Sequence, residues 1–216
     1  MDVRAFTVGM VAENCYFARA DAASAEAIVV DPGEEADRLL KAIDDLGLDV
    51  KAILLTHTHF DHVGAVAPVV RATGAPVYCP ELEVPVLADI MSFVPWPGFG
   101  PYESYDADET VAGGERLQLA GFDIDVLFTP GHSPGHVTYS IPAERALFSG
   151  DVLFEGSIGR TDLPGGDAPT LFRSLATLVD SFPAETTVYP GHMGITTLER
   201  ERATNPFLLE IASQQR

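Results

Sequence analysis

The sequence predicts a mixed α/β fold, and two observations carry that prediction. Short apolar runs alternate with stretches of helical period, and a strands-then-helix pattern occurs twice along the chain. Its 216 residues, 46% of them hydrophobic, suffice for a core that needs no staples; a chain of this size buries roughly 70% of its unfolded surface. No fixed-period repeat, low-complexity tract or linker divides residues 1–216, which read as a single domain.

Taken in order, residues 3–11, 14–19 and 25–30 read as strands, the third closed by the turn Asp31-Pro32-Gly33. Residues 34–46 place Ala36, Leu39, Leu40, Ile43 and Leu46 on one helical face, with acids in the first turn and Gly47 just past the end. The apolar run 50–55 is a buried strand, 63–72 a helix despite Gly64 and Pro68, and 76–79 a further strand. Residues 91–105 hold three prolines, two glycines and five aromatics, so they form neither a regular helix nor a central strand. A long loop of this kind is often functional, and it is a candidate wall for a pocket. Residues 116–119, 122–128, 137–141 and 146–148 resemble hairpin strands. Helix (170–181), strand (186–189) and helix (196–203) follow, then a break at Asn205-Pro206 and a short last helix.

The composition excludes several function classes. Thirteen Lys and Arg against 32 Asp and Glu give a net charge of −19, which repels phosphate backbones and anionic membranes. Two cysteines, Cys15 and Cys79, make no disulfide framework and read as buried thiols. The first twenty residues have no long apolar core, and no run reaches the ~18 apolar residues of a spanning helix. The expectation is a cytoplasmic protein with neither a nucleic-acid nor a membrane partner.

Chemistry concentrates in the histidines. His57, His59, Asp61 and His62 follow the buried strand at 50–55, and strand geometry puts His57 and His59 on one side. Neutral imidazoles and carboxylates are what zinc or iron accepts at ~2.0–2.2 Å. Downstream, three apolar strands each run into a small-residue turn that presents His132, Asp151 or His192. Glycine beside each of them permits a sharp turn and close backbone approach. Ser133 and Ser149 read as turn residues.

His57-Thr58-His59-Phe60-Asp61-His62, followed by His132, Asp151 and His192, resembles the metallo-β-lactamase superfamily. The resemblance runs from about Asn14 to His192 and implies an α/β (α+β) four-layer αββα sandwich of two similar halves. It also implies two divalent metal ions, zinc by expectation, with iron or manganese accepted by the same donors. His57, His59 and His132 would hold the first ion and Asp61, His62 and His192 the second, with Asp151 bridging. His136 is expected beside the ligands rather than among them. His59 stands where the flavodiiron branch has Glu, which disfavours a redox di-iron site of that type. The implied chemistry is attack by a metal-bridging hydroxide oriented by the catalytic carboxylates Asp61 and Asp151. No unassigned His or Lys lies near the motifs to serve as a proton donor. A thiolate leaving group, with pKa about 8.5, needs none.

Three further stretches, Gly156–Asp162, Asp162–Asp167 and Glu199–Phe207, resemble the glyoxalase II (hydroxyacylglutathione hydrolase) group, in particular its short bacterial members. That implies hydrolysis of S-2-hydroxyacylglutathione thioesters such as S-D-lactoylglutathione, giving D-lactate and glutathione. Arg160 falls where the larger members carry a lysine that contacts the glutathione carboxylate. The chain departs from those members in two ways. Gly194 replaces a glutathione-contacting tyrosine, and only about a dozen residues separate His192 from Asn205, so their helical thiol-binding domain is absent. A persulfide dioxygenase with a single iron shares the histidine motif. Phe60 and Phe207 replace that group's usual Ala and Arg and favour the hydrolase. A lactonase or β-lactamase activity is the third reading.

Overall fold

The computed structural model describes residues 1–94 and 96–214; Pro95, one of the three loop prolines, lies outside the described residues. The first half forms a six-stranded sheet from β1 (Asp2–Val8), β2 (Glu13–Arg19), β3 (Glu26–Val30), β4 (Asp49–Leu54), β5 (Val77–Pro80) and β6 (Glu109–Val111), paired in that order. Pairing is antiparallel from β1 to β3 and parallel from β3 to β6. The second half supplies β7 (Arg116–Leu119), β8 (Phe122–Phe128), β9 (Val137–Ile141) and β10 (Ala146–Gly150). A small ribbon of β11 (Leu153–Phe154) and β12 (Ser157–Ile158) precedes β13 (Thr187–Pro190) and β14 (Thr196–Thr197). The second sheet is ordered β14-β13-β10-β9-β8-β7, with β10 and β13 parallel.

The helices are α1 (Ala36–Asp45), α2 (Phe60–Val63), α3 (Val66–Thr73), α4 (Val84–Leu87), α5 (Ile90–Phe93), α6 (Ala168–Ser181), α7 (Leu198–Thr204) and α8 (Pro206–Gln214). Strand alternation distributes the side chains among three apolar layers. Along β2, Cys15 and Phe17 face a cluster with Leu39, Ile43, Val66 and Val69 of α1 and α3, whereas Tyr16 and Ala18 face Tyr139 and Phe148 of the other sheet. In β10 and β13, Leu147 and Val188 pack on Leu171, Leu175 and Leu198 from α6 and α7. Helices, sheet, sheet and helices therefore make the αββα sandwich. Leu39 and Leu175 are fully buried, and each such burial is worth roughly 1.5–3 kcal/mol. No helix among the described residues is long and apolar enough to cross a membrane.

Local departures from the sequence pattern have physical causes. The helix expected over 34–46 starts at Ala36, because Glu35 takes a left-handed conformation at φ 53°. The helix expected over 63–72 runs from Val66 to Thr73, and a separate turn, α2, begins right after His59 and carries Asp61 and His62. Thr196 and Thr197, expected as helix, pair with β13 before α7 begins. Met91–Phe93 belong to the single turn α5. Strand β6, unforeseen, has one buried residue in three and exists through its parallel pairing with β5. Both cysteines are free and buried, and burial raises their thiol pKa values.

Candidate metal centre

Four strands end at one place. The segment after β4 carries His57 and His59 and enters α2 with Asp61 and His62; His132 follows β8, Asp151 follows β10 and His192 follows β13. Parallel neighbours in each sheet bring carboxyl ends together, where α/β proteins bind ligands. The β13 turn is tied to β2, where Asn14 Nδ2 donates to the carbonyls of Pro190 (3.1 Å) and Met193 (2.9 Å), and the Tyr16 hydroxyl donates to Pro190 (2.7 Å). Glycine is required beside His192, since a Cβ on Gly191 would lie 2.2 Å from Asp151 Oδ1 and 2.7 Å from His62 Cε1.

The first group is three imidazoles. His57 Nε2 lies 3.1 Å from His59 Nδ1 and 3.2 Å from His132 Nε2, and His132 Nε2 lies 2.8 Å from His59 Nδ1. Three nitrogens on a tetrahedral ion at about 2.0–2.1 Å would be about 3.3 Å apart. The partners of the remote nitrogens fix two tautomers. The His132 Nδ1–H donates to the Arg160 carbonyl at 2.8 Å. Thr56 Oγ1 gives its proton to Asp31 Oδ2 (2.6 Å) and so accepts from His57 Nδ1–H (3.1 Å). Bare lone pairs of His57 and His132 therefore face each other, an arrangement that a cation between them stabilises.

The second group is Asp61, His62 and His192, whose nearest donor atoms lie within 4.8 Å of one another. His192 Nε2 is 3.3 Å from Asp61 Oδ2. Asp151 stands between the groups: its Oδ2 is 3.4 Å from His132 Nε2 and 3.5 Å from His192 Nε2, and its Oδ1 is 3.4 Å from His62 Nε2. His62 Nε2 and Asp151 Oδ1 are buried without a hydrogen-bond partner. Orphaned buried polar atoms are costly, and a metal ion would satisfy both. The donor set, oxygen and imidazole nitrogen only, fits divalent ions.

Electrostatics divide the two groups. Burial, reinforced by the neighbouring imidazoles, pushes the pKa of His57 well below its usual value and that of His59 down to about 4. Burial also opposes charge on His62, but the carboxylates of Asp151 and Asp61, with Asp31 on the other nitrogen, outweigh it and raise its pKa well above the ordinary value. His192 is raised as well, against its burial, by Asp151 and Asp61. Asp61 and Asp151 are held below the usual carboxylate range because those imidazoles outweigh the burial that would raise them.

Several supporting residues were not legible in the sequence. Asp31 accepts from the Thr56 backbone N–H (2.8 Å) and hydroxyl and from His62 Nδ1 (3.0 Å), so it orients one imidazole in each group. Its only sequence signal is an acid in the turn that ends a strand. Glu83 is buried and accepts from Thr58 Oγ1 (2.8 Å), Ser133 Oγ (2.7 Å) and the Gly135 N–H (2.7 Å), which joins the His57–His59 segment to the His132 loop. Glu13 is fully buried 3.8 Å from His62 Nδ1, and burial with the nearby carboxylates raises its pKa well above the usual range. His136 stands apart from both groups. Its Nε2 accepts from the Asp151 backbone N–H at 3.0 Å and its Nδ1 meets Thr129 Oγ1 at 3.1 Å, so both nitrogens are engaged.

A cavity of about 670 Å³ opens beside these residues. Arg160 lines it, but Nε and Nη2 donate to Asp162 at 2.6 and 2.7 Å, and the guanidinium lies 5.6 Å from the centre of the Trp96 ring. From the aromatic loop, Phe93, Val94 and Trp96 line the cavity, while Phe99 and Tyr102 pack on Phe60 at 4.8 and 5.7 Å.

Residues 8–192 match the Metallo-beta-lactamase superfamily. The hydroxyacylglutathione hydrolase GloC of Haemophilus influenzae is 34% identical, with 96% of this chain and 98% of GloC covered. Among solved structures, the BLEG-1 B3 metallo-β-lactamase superposes with a TM-score of 0.90 at 38% identity, covering 96% of this chain and 99% of that one. TTHA1623 in a di-iron-bound form superposes at 0.84 with 43% identity, covering 95% and 100%. The sandwich, the two ligand groups at its strand ends and the match over most of the sequence agree: this chain belongs to the metallo-β-lactamase superfamily of metallo-hydrolases.

Proposed function

We propose that the protein is a metal-dependent thioester hydrolase of the hydroxyacylglutathione hydrolase type, with His57, His59 and His132 holding one divalent ion, Asp61, His62 and His192 a second, and Asp151 shared. The observation that carries the metal reading is the pair of facing unprotonated nitrogens of His57 and His132 beside the orphaned carboxylate oxygen of Asp151. The thioester specificity draws on the 34% identity to GloC. When bound, the two ions supply a Lewis acid for the acyl oxygen and lower the pKa of water toward 7. Zinc and iron both suit the donors, and a di-iron-bound relative makes iron as apt as zinc.

The chain's own residues do the rest. Hydrolysis joins the oxygen of water to the acyl carbon and breaks the C–S bond, giving a carboxylic acid and a thiol. Asp61 and Asp151, held ionised by the neighbouring imidazoles, orient the water by accepting its proton in a hydrogen bond. The buried cluster around Glu83 keeps the two histidine segments in register. A thiolate departs without a donated proton, which suits a site whose remaining imidazole, His136, is fully committed. Arg160, the cation lining the cavity, is the group that would meet a substrate carboxylate, in competition with Asp162.

Release of thiol from S-D-lactoylglutathione by the zinc- or iron-loaded protein tests this reading, with His59→Ala as control. Absence of thiol release, or undiminished release in the variant, would overturn it. The likeness to BLEG-1 favours lactam or lactone hydrolysis as the second reading, and oxygen uptake with glutathione persulfide tests the single-iron dioxygenase alternative.

A further inference from the structure

The cavity beside the ligand groups has a chemistry of its own. Much of its lining is hydrocarbon, including Leu82, Val86, Ile90, Phe93, Trp96 and Leu163. Two of these remain well exposed, Leu82 at 61% and Phe93 at 55%, and Met193, which also lines the cavity, is 56% exposed. A lone exposed apolar side chain is ordinary, but several around one concave site mark a binding surface.

Charge recognition is poor along the same lining. Besides the candidate metal ligands, the charged side chains lining the cavity among the described residues are Glu83 and Arg160. Glu83 is buried and spent on Thr58, Ser133 and Gly135. The guanidinium of Arg160 is held bidentately by Asp162, which leaves that pair neutral. Glutathione brings two carboxylates and an ammonium, each needing a partner when it leaves water. The chain's net charge of −19 further opposes an anionic thiol carrier.

We infer that the preferred substrate carries an uncharged hydrocarbon arm on one side of the scissile bond, laid along the Leu82–Phe93–Trp96 wall, and that charged glutathione thioesters are the poorer substrates. This rests on the thioester-hydrolase part of the proposed function and departs from its hydroxyacylglutathione part, in which glutathione is the preferred carrier. The affinity is hydrophobic, so it should grow with chain length until the cavity is filled.

The test uses two homologous series of uncharged thioesters on the metal-loaded full chain. One varies the acyl group of N-acetylcysteamine from acetyl to octanoyl; the other varies the alkyl thiol of an acetyl thioester over the same lengths. The expected kcat/KM rises by up to about fourfold per methylene in one series, the value set by burying one CH2, and the series that rises identifies the side of the bond. A second readout does not require turnover. Trp96 is the single tryptophan of the chain and lies in the cavity wall. Its fluorescence should respond saturably to S-alkyl thioethers of N-acetylcysteamine, with affinity increasing from butyl to octyl, in metal-free protein. Leu82→Ser combined with Phe93→Ser, both exposed enough to spare the fold, should lower the octanoyl-to-acetyl ratio about tenfold.

Flat chain-length dependence in both turnover series or in the fluorescence series would overturn the inference. So would S-D-lactoylglutathione exceeding the best uncharged substrate tenfold in kcat/KM. A graded fluorescence series with no thioester turnover would instead overturn the reaction assigned above while upholding the apolar character of the cavity.

Discussion

The two ligand groups share Asp151 and touch one another, yet they prepare for a metal ion in opposite ways. The first, His57, His59 and His132, turns bare nitrogens of His57 and His132 toward each other: burial and the neighbouring imidazoles push the pKa values of His57 and His59 down, and the remote nitrogens of His57 and His132 are tied to Thr56 and Arg160. The second, Asp61, His62 and His192, is a charged cluster in which carboxylates hold protons on imidazoles. If each group binds an ion, the first would take it without displacing a proton from His57 and the second in exchange for one on His62. The comparison teaches that adjacent sites built from similar residues acquire different pH responses through burial and the placement of two aspartates.

The largest expected effect comes from removing a ligand. His59→Ala or Asp151→Ala should cut thiol release by more than about 100-fold, since even residues that merely support a ligand cost roughly 10–100-fold. Metal content should fall to one ion or fewer per chain in Asp151→Ala. Retention of both ions would separate Asp151 from the centre.

Lowering the pH should split the two groups. The raised pKa of His62 means that acid loads a proton where the second ion binds, so affinity there falls by up to about tenfold for each pH unit below that pKa. Protons on His57 and His59, whose pKa values burial pushes down, should not compete for the first ion between pH 8 and pH 6, so its loss should be the smaller one. Metal competition assays at the two pH values check this, and equal losses at both groups would break the comparison.

Asp31→Asn should weaken both groups by about 10–100-fold, because Asp31 orients His62 directly and His57 through Thr56. An effect on one group alone would show that the Thr56 link is dispensable. Glu83→Gln should act mainly as a stability change of about 1–3 kcal/mol in chemical denaturation, since one charged acceptor of three hydrogen bonds becomes a partial donor. The smallest change is Asp162→Asn. Freeing Arg160 should raise kcat/KM for S-D-lactoylglutathione severalfold relative to an uncharged thioester, in keeping with the modest worth of exposed ion pairs.

How much of this was legible in the sequence follows from what each feature depends on. The spacing of His57, His59, Asp61 and His62 and the glycine-flanked His132, Asp151 and His192 sufficed to single out the seven side chains that the fold brings together. The apolar run of β4 likewise announces a buried strand, and the uninterrupted Cys15–Ala18 run of β2 is buried on both faces. Asp31 reads as a turn residue because its partners, Thr56 and His62, are 25 and 31 positions away. Glu83 sits in an unremarkable acidic stretch, and only the fold reveals that it joins residues 25 and 50 positions off. The pairing of Arg160 with Asp162 is local, but its meaning depends on Trp96 and a cavity that no periodicity announces.

Two ions, one in each group, are expected to be needed for hydrolysis. Titrating metal-free protein with zinc or ferrous iron while following thiol release from a thioester tests it most directly. The rate should climb to two equivalents per chain and then level, with a proton released as the second ion binds. A full rate in metal-free protein, or one that saturates at a single equivalent with no second ion bound, would contradict it.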